Sequence, residues 1–204
     1  MIQTKHWYFS ERQSKNFNYF TFILLQLQDS LKRIFFTIPI PEAISTALLK
    51  PFIGRHVYGV RWVPQEQLHI TVYFAGEVTE EVLHTFDSLV PVLCQSKTAF
   101  NLEFENLRLL YKNKKPAMLW AVFKEHSSFT DLSVSICRIF SAPERREQTP
   151  HITLARIRQL HQLPFDLPAM KPFSIHVDSI ELWQSHLQQT GSVYEVISQW
   201  KLGK

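Results

Sequence analysis

The sequence predicts an α+β fold: two pseudo-symmetric lobes of mainly antiparallel sheet, helices on the outside and an active-site cleft between the lobes. Three observations lead there. Short runs of β-branched and aromatic residues recur along the 204 residues, bounded by Pro, Gly and Asn in the manner of strands. Few helix-length apolar stripes separate them, and strands with few crossover helices pair mainly antiparallel. The triplet His69-Ile70-Thr71 returns as His151-Ile152-Thr153, at corresponding places in two halves of the chain.

Arg33-Ile34-Phe35-Phe36-Thr37-Ile38-Pro39 reads as the first strand, closed by Pro39 and Pro41. Pro41 suits the first turn of a helix through Ala43, Ile44, Ala47 and Leu48, which stops before Pro51 because proline disfavours helix in the preceding residue. A short edge strand or turn over Val60–Pro64 leads to the first histidine strand, Leu68–Phe74. Thr79 is positioned to cap a helix whose stripe is Val82, Leu83, Phe86, Leu89, Val90 and Leu93. Phe100–Leu110 alternates apolar and polar residues as a half-buried strand, and a basic turn at Lys112-Asn113-Lys114-Lys115 joins it to a strand over Met118–Phe123. A helix over Phe129–Phe140 and a polar loop with Arg145 and Arg146 precede the second histidine strand. Strands over Phe173–Leu182 and Val193–Trp200 complete the domain, assigned to residues 31–204.

Residues 1–30 are expected to be an N-terminal extension, folded against the domain or partly disordered. Phe17–Leu27 has the outline of a signal peptide, but Asn18, Thr21 and Gln26 interrupt it and no small-residue cleavage site follows before Asp29. That run is too short to span a bilayer. Cys94 and Cys137 have no metal-ligand spacing and lie in apolar surroundings, so reduced thiols and a cytoplasmic protein are expected. With 5 glycines and neither a GxGxxG nor a GxxxxGK[ST] pattern, the chain is a poor candidate for a nucleotide fold with a glycine-rich phosphate loop. A net charge of +4 is compatible with a polyanionic partner and equally with an ordinary solvated surface.

The repeated triplet carries the chemistry. On a strand, residues i and i+2 share a face, so each triplet sets an imidazole beside a hydroxyl and buries its Ile. Two imidazoles flanking a phosphorus centre can divide one displacement, one taking a proton from the nucleophile and the other giving one to the leaving oxygen. Thr71 and Thr153 can donate to the equatorial oxygens, and Arg156, nearest the second triplet, can add a charge-assisted clamp. Such a site needs neither a metal nor another cofactor. Trp62, Tyr73 and Trp120 are expected mainly in the core, although a ring in the cleft can stack on a nucleobase. Arg156, Lys115, Tyr73 and Phe36 are the candidates for substrate contact.

The chain resembles the 2H phosphoesterase superfamily, and within it the RNA 2',3'-cyclic phosphodiesterases once named 2'-5' RNA ligases. The resemblance rests on Arg33–Pro39, on Arg61-Trp62-Val63-Pro64 leading into Leu68-His69-Ile70-Thr71, on Pro150-His151-Ile152-Thr153-Leu154-Ala155-Arg156, and on Glu181–Ser185 and Tyr194–Leu202. It implies hydrolysis of an RNA-terminal 2',3'-cyclic phosphate to a 2'-phosphate, with reversible 2'-5' ligation of ends such as tRNA halves. It also implies His69 as proton donor to the 3'-oxygen and His151 as the base on water, a division that the residues alone leave open. The chain departs from the family at Thr149, where Arg or Lys often precedes the proline, so a phosphate or backbone contact is either missing or supplied by Arg145, Arg146 or Lys115. The protein is expected to act on RNA as a monomer, away from membranes. The alternatives are a related phosphodiesterase acting on 2'-5' linkages or small cyclic nucleotides, and a module that only binds RNA ends.

Overall fold

A computed structural model describes residues 31–140, 149–158, 160–189 and 191–203. The predictions for residues 1–30 and for Arg145 and Arg146 fall outside this set. In chain order the elements are β1 (Lys32–Pro39), α1 (Glu42–Leu49), β2 (Val60–Trp62), β3 (His69–Val78), α2 (Glu80–Gln95), β4 (Phe100–Lys112), β5 (Lys115–Phe123), α3 (Ser127–Ile139), β6 (His151–Ile157), β7 (Ser174–Val177), β8 (Ser179–Gln188) and β9 (Gly191–Lys201). The strands form one antiparallel sheet in the order β7-β4-β5-β6-β3-β1-β8-β9, with β2 beside β6. Its two halves meet where β3 pairs with β6, at Ile70 opposite Ile152.

The continuous strand expected over Phe173–Leu182 is broken at Asp178. β7 pairs with β4 at one end of the sheet, while β8 lies between β1 and β9 near the other. A single residue spans only about 3.5 Å, so the sheet must curl until these regions come together at Asp178. Leu202 N–H donates to the Asp178 carbonyl there, at 2.8 Å.

The ladders flanking the seam match in both halves. Thr37–Thr71, Ile38–Ile70 and Pro39–His69 in the first correspond to Trp120–Thr153, Ala121–Ile152 and Val122–His151 in the second. Each ladder then slips at the same place: Phe36 pairs with Tyr73 and Leu119 with Ala155, leaving Val72 and Leu154 as the extra residues of β-bulges. A bulge shifts the two-residue alternation. Val72 and Tyr73 are therefore both buried, as are Leu154 and Ala155. The Val72 carbonyl accepts a hydrogen bond from the Ser133 hydroxyl of α3 at 2.7 Å, which ties the bulge to the helix.

α2 and α3 cover the apolar face of the sheet. Phe86, Val90 and Cys94 from α2, and Phe129, Leu132 and Ile136 from α3, join Ile34, Ile70, Val72, Ile152 and Leu154 in one core. Thr79 stands at the N-cap of α2 without a side-chain hydrogen bond, contrary to expectation, and Glu80 and Glu81 supply the favourable charge in the first turn. His126 is instead the working cap of α3, its Nδ1 accepting from the Ser128 N–H at 3.2 Å. The basic turn is a two-residue hairpin with Asn113 and Lys114 at positive φ, the geometry that matches strand twist.

Candidate active site

One cleft of about 520 Å³ opens on the face opposite the helices, and His69, Thr71, His151 and Thr153 all line it. Its geometry follows from the seam. Ile70 and Ile152 point into the core, and extending their antiparallel register by one residue sets His69 opposite Thr153 and Thr71 opposite His151. Residues so placed lie about 5 Å apart at Cβ. Each imidazole thus has a hydroxyl beside it on its own strand and another across the seam.

Both rings are oriented in the same way. His69 Nδ1 lies 2.7 Å from the Gln67 carbonyl, and His151 Nδ1 lies 2.8 Å from the Thr149 carbonyl. A carbonyl only accepts, so Nδ1 carries the proton in each and the neutral ring keeps its lone pair on Nε2. Thr149 serves His151 through its backbone, which any residue would supply. The unusual side chain at that position leaves the imidazole's orientation intact.

The surroundings differ. His69 sits among Phe35, Trp183 and Tyr194, with ring centroids 5.0, 5.1 and 5.3 Å away. Burial in this cage pushes its pKa down to about 4; the Gln67 carbonyl opposes the shift, and His151 and Arg156 repel the charged form. His151 lies flat on the indole of Trp120, centroids 3.5 Å apart and planes 14° from parallel. Burial lowers its pKa as well, against the pull of the Thr149 carbonyl. In the free protein both rings are therefore biased towards neutrality.

Arg33, Arg61 and Arg156 line the cleft, and no Asp or Glu is among the described residues that do. A lining with three guanidinium groups and, among the described residues, no carboxylate suits an anion. The Arg33 guanidinium rests over the Phe74 ring, 4.9 Å from its centroid. Arg61, on β2 in one half, packs against Gly191 at the start of β9 in the other. A Cβ at Gly191 would stand 2.9 Å from Arg61 Cζ.

Of the predicted substrate contacts, Arg156 lies in the cleft; the structure places the other three away from it. Phe36 and Tyr73 are core residues, 0% and 3% exposed. The Val72 bulge turns Tyr73 inward, towards Phe140, with centroids 5.1 Å apart. Lys115 opens β5 beside the hairpin turn and is exposed outside the cleft. The bulge brings Phe74 into the cleft instead, as the Leu154 bulge does for Arg156. Phe35, Phe74, Trp120, Arg33, Arg61 and Tyr194 were not expected there. A signal for Phe74 exists in the sequence, since it follows His69 at the spacing by which Arg156 follows His151. Among the described residues no group of three His, Cys, Asp or Glu side chains is placed to hold a metal ion, and no helix is long and apolar enough to cross a membrane.

Comparison with known proteins agrees with this architecture. The RNA 2',3'-cyclic phosphodiesterase of Methanocaldococcus jannaschii is 28% identical over 180 residues, covering 82% of this chain and 99% of that protein. The enzyme of the same name from Aeropyrum pernix is 27% identical over 166 residues, covering 76% and 93%. Among solved structures, a Thermus thermophilus protein superposes with a TM-score of 0.69 at 26% identity, covering 84% of this chain and 99% of that one. E. coli LigT complexed with NADP+ has the same fold, with a TM-score of 0.71 at 20% identity and coverage of 85% and 99%. Residues 41–189, most of the chain, match the family model of the 2'-5' RNA ligase superfamily. With its two His-x-Thr strands meeting across one seam, the chain belongs to the 2'-5' RNA ligase superfamily.

Proposed function

We propose that this protein is an RNA 2',3'-cyclic phosphodiesterase that opens a terminal cyclic phosphate to a 2'-phosphate. The observation that carries the reading is the crossed pair of His-x-Thr strands in a cleft whose described lining holds three arginines and no Asp or Glu. The names of the relatives from Methanocaldococcus jannaschii and Aeropyrum pernix support the substrate class.

In this reading His151 Nε2 takes a proton from water as the oxygen attacks phosphorus. His69 Nε2–H gives its proton to the departing 3'-oxygen, which leaves a 3'-hydroxyl and a 2'-phosphate. The Thr71 and Thr153 hydroxyls donate to the non-bridging oxygens, and Arg156 neutralises developing charge. With a 5'-hydroxyl in place of water as the nucleophile, the same steps form a 2'-5' linkage as the 3'-oxygen leaves, and their reverse cleaves that linkage back to the cyclic phosphate.

The low pKa of His69 sets a condition on this division of labour. A neutral His69 has no Nε2 proton to give, so the bound phosphate anion must raise its pKa as the substrate enters. An anion within about 5 Å in a partly desolvated cleft has that effect. The free thiols of Cys94 and Cys137, both buried, fit a reducing cytoplasm, and we take the monomer as the acting species.

The test is a panel of substrates incubated with the protein in EDTA: an oligonucleotide ending in a 2',3'-cyclic phosphate, a 2'-5'-linked dinucleotide and a small cyclic nucleotide. The reading predicts turnover of the first to a 2'-phosphate, undiminished by the chelator. Preference for the second or third would transfer the site to those substrates. RNA binding without any turnover would make the protein an end-binding module.

A further inference from the structure

The two halves match pair by pair around the seam, so a departure from the match is informative. Thr37, opposite Thr71, is small and fully buried and donates to the Ile70 carbonyl at 3.0 Å. The residue at the same register in the second half, opposite Thr153, is Trp120. It lines the cleft and lies face to face with His151, at a ring separation close to van der Waals contact.

Holding the indole there has a cost. Trp120 Nε1 is buried and has no hydrogen-bond partner among the described residues. A buried N–H left unmade is unfavourable, and Trp is ordinarily placed in cores where its N–H reaches an acceptor. Phenylalanine would offer an aromatic face without that penalty. The arrangement favours contact with His151 over local stability, the kind of violation expected at a working site.

We infer that Trp120 is a positioning residue for His151: its π-face fixes the plane of the imidazole and stabilises the imidazolium that forms as His151 accepts a proton. The inference rests on His151 being the base of the proposed reaction. A ring quadrupole attracts a cation above its face but gives a neutral imidazole little. Trp120 therefore acts most on the state that the base reaches in the transition state, which is where an interaction accelerates a reaction. The other charged or titratable groups that line the cleft with His151, among the described residues, are Arg156 on its own strand, His69 on β3, Arg61 on β2, Arg33 on β1 and Tyr194 on β9. The four cations among them disfavour an imidazolium when charged, so the indole is the one face-on contact that favours it.

The test is NMR titration of labelled histidine in the wild type, W120F and W120L, with His151 identified by its absence in H151Q, alongside steady-state turnover of a 2',3'-cyclic phosphate end. Leu keeps the apolar cover and removes the π-face. W120L is expected to lower the His151 pKa by about half a unit and kcat by about tenfold, with KM little changed. W120F, which retains a ring and sheds the unpartnered N–H, is expected to keep the pKa and to hold kcat within about threefold, at equal or higher melting temperature. An unchanged His151 titration in W120L, or a W120F as impaired as W120L, would overturn the inference. The titration decides this even if the wild type proves inactive on cyclic phosphates, a result that would count against the proposed function alone.

Discussion

Ile70 and Ile152 lie directly opposite each other on antiparallel strands, and that register, extended by one residue, crosses the residues beside them: His69 towards Thr153, and His151 towards Thr71. The pair also fixes depth. Both isoleucines are fully buried while the four flanking polar residues line the cleft, so the anchor of the seam is packed as core and its working groups stay accessible. Truncating either Ile would leave a cavity directly beneath two imidazoles. Ile152→Ala is expected to cost about 2–5 kcal/mol and to slow turnover through misplaced histidines, measurable by denaturant titration and single-turnover kinetics.

The bulge at Val72 is a second anchor, held by the Ser133 hydroxyl. Ser133→Ala removes that donor and is expected to cost about 1–3 kcal/mol. Because the bulge decides which way Phe74 points, KM should rise along with the loss of stability. A variant that loses stability with unchanged KM would mean that the bulge holds without its helix contact.

The histidines make stability depend on pH in a definite sense. His69 titrates near 6.5 when unfolded and at about 4 when folded, so between those values the unfolded chain binds more protons. Its contribution is complete above pH 6.5 and is lost as the pH falls towards 4, by about 3 kcal/mol at most. His151, also lowered, adds in the same direction. Denaturant midpoints in His69→Gln should fall less steeply over this range than those of the wild type.

The same shift predicts a difference between two kinetic profiles. The profile of kcat/KM reports the free enzyme, in which His69 is seldom protonated at neutral pH, whereas that of kcat reports the complex with the phosphate in place. The optimum for kcat/KM should therefore lie at lower pH than that for kcat, by about one unit or more. Coincident optima would contradict the idea that bound phosphate raises the pKa of His69.

Position 191 and position 149 provide a contrast. Gly191 adopts φ +137 and lies against the Arg61 guanidinium, so Gly191→Ala strains the hairpin and displaces Arg61 from the cleft. A loss of about 1–3 kcal/mol and a higher KM are expected. Thr149→Ala keeps the carbonyl that orients His151, and its activity should stay within about twofold of wild type.

Much of this was legible in the sequence because it rests on strand alternation. The two His-x-Thr faces, the buried Ile between them and the antiparallel α+β fold follow from that period and from the repeat. The bulges at Val72 and Leu154 were not legible, since an extra residue looks like any other residue of a strand until its partner is known. The Val72 bulge is why Tyr73 lies in the core and Phe74 in the cleft, whereas Phe36 lies in the core by plain alternation with Ile34 and Ile38 on β1. The break at Asp178 depends on curling of the whole sheet, and the cage of Phe35, Trp183 and Tyr194 joins β1, β8 and β9, so neither has a local signature. Trp120 reached the cleft through register with Thr153, a relationship visible only once β5 and β6 were paired.

The most direct test of the central claim is single-turnover hydrolysis of an oligonucleotide ending in a 2',3'-cyclic phosphate by wild type, His69→Ala, His151→Ala and the double variant. If the two imidazoles share one displacement, each single variant should lose about 10³-fold or more, with the fold retained, and the double variant should be little worse than either. Full activity in either single variant, or losses that multiply in the double, would contradict it.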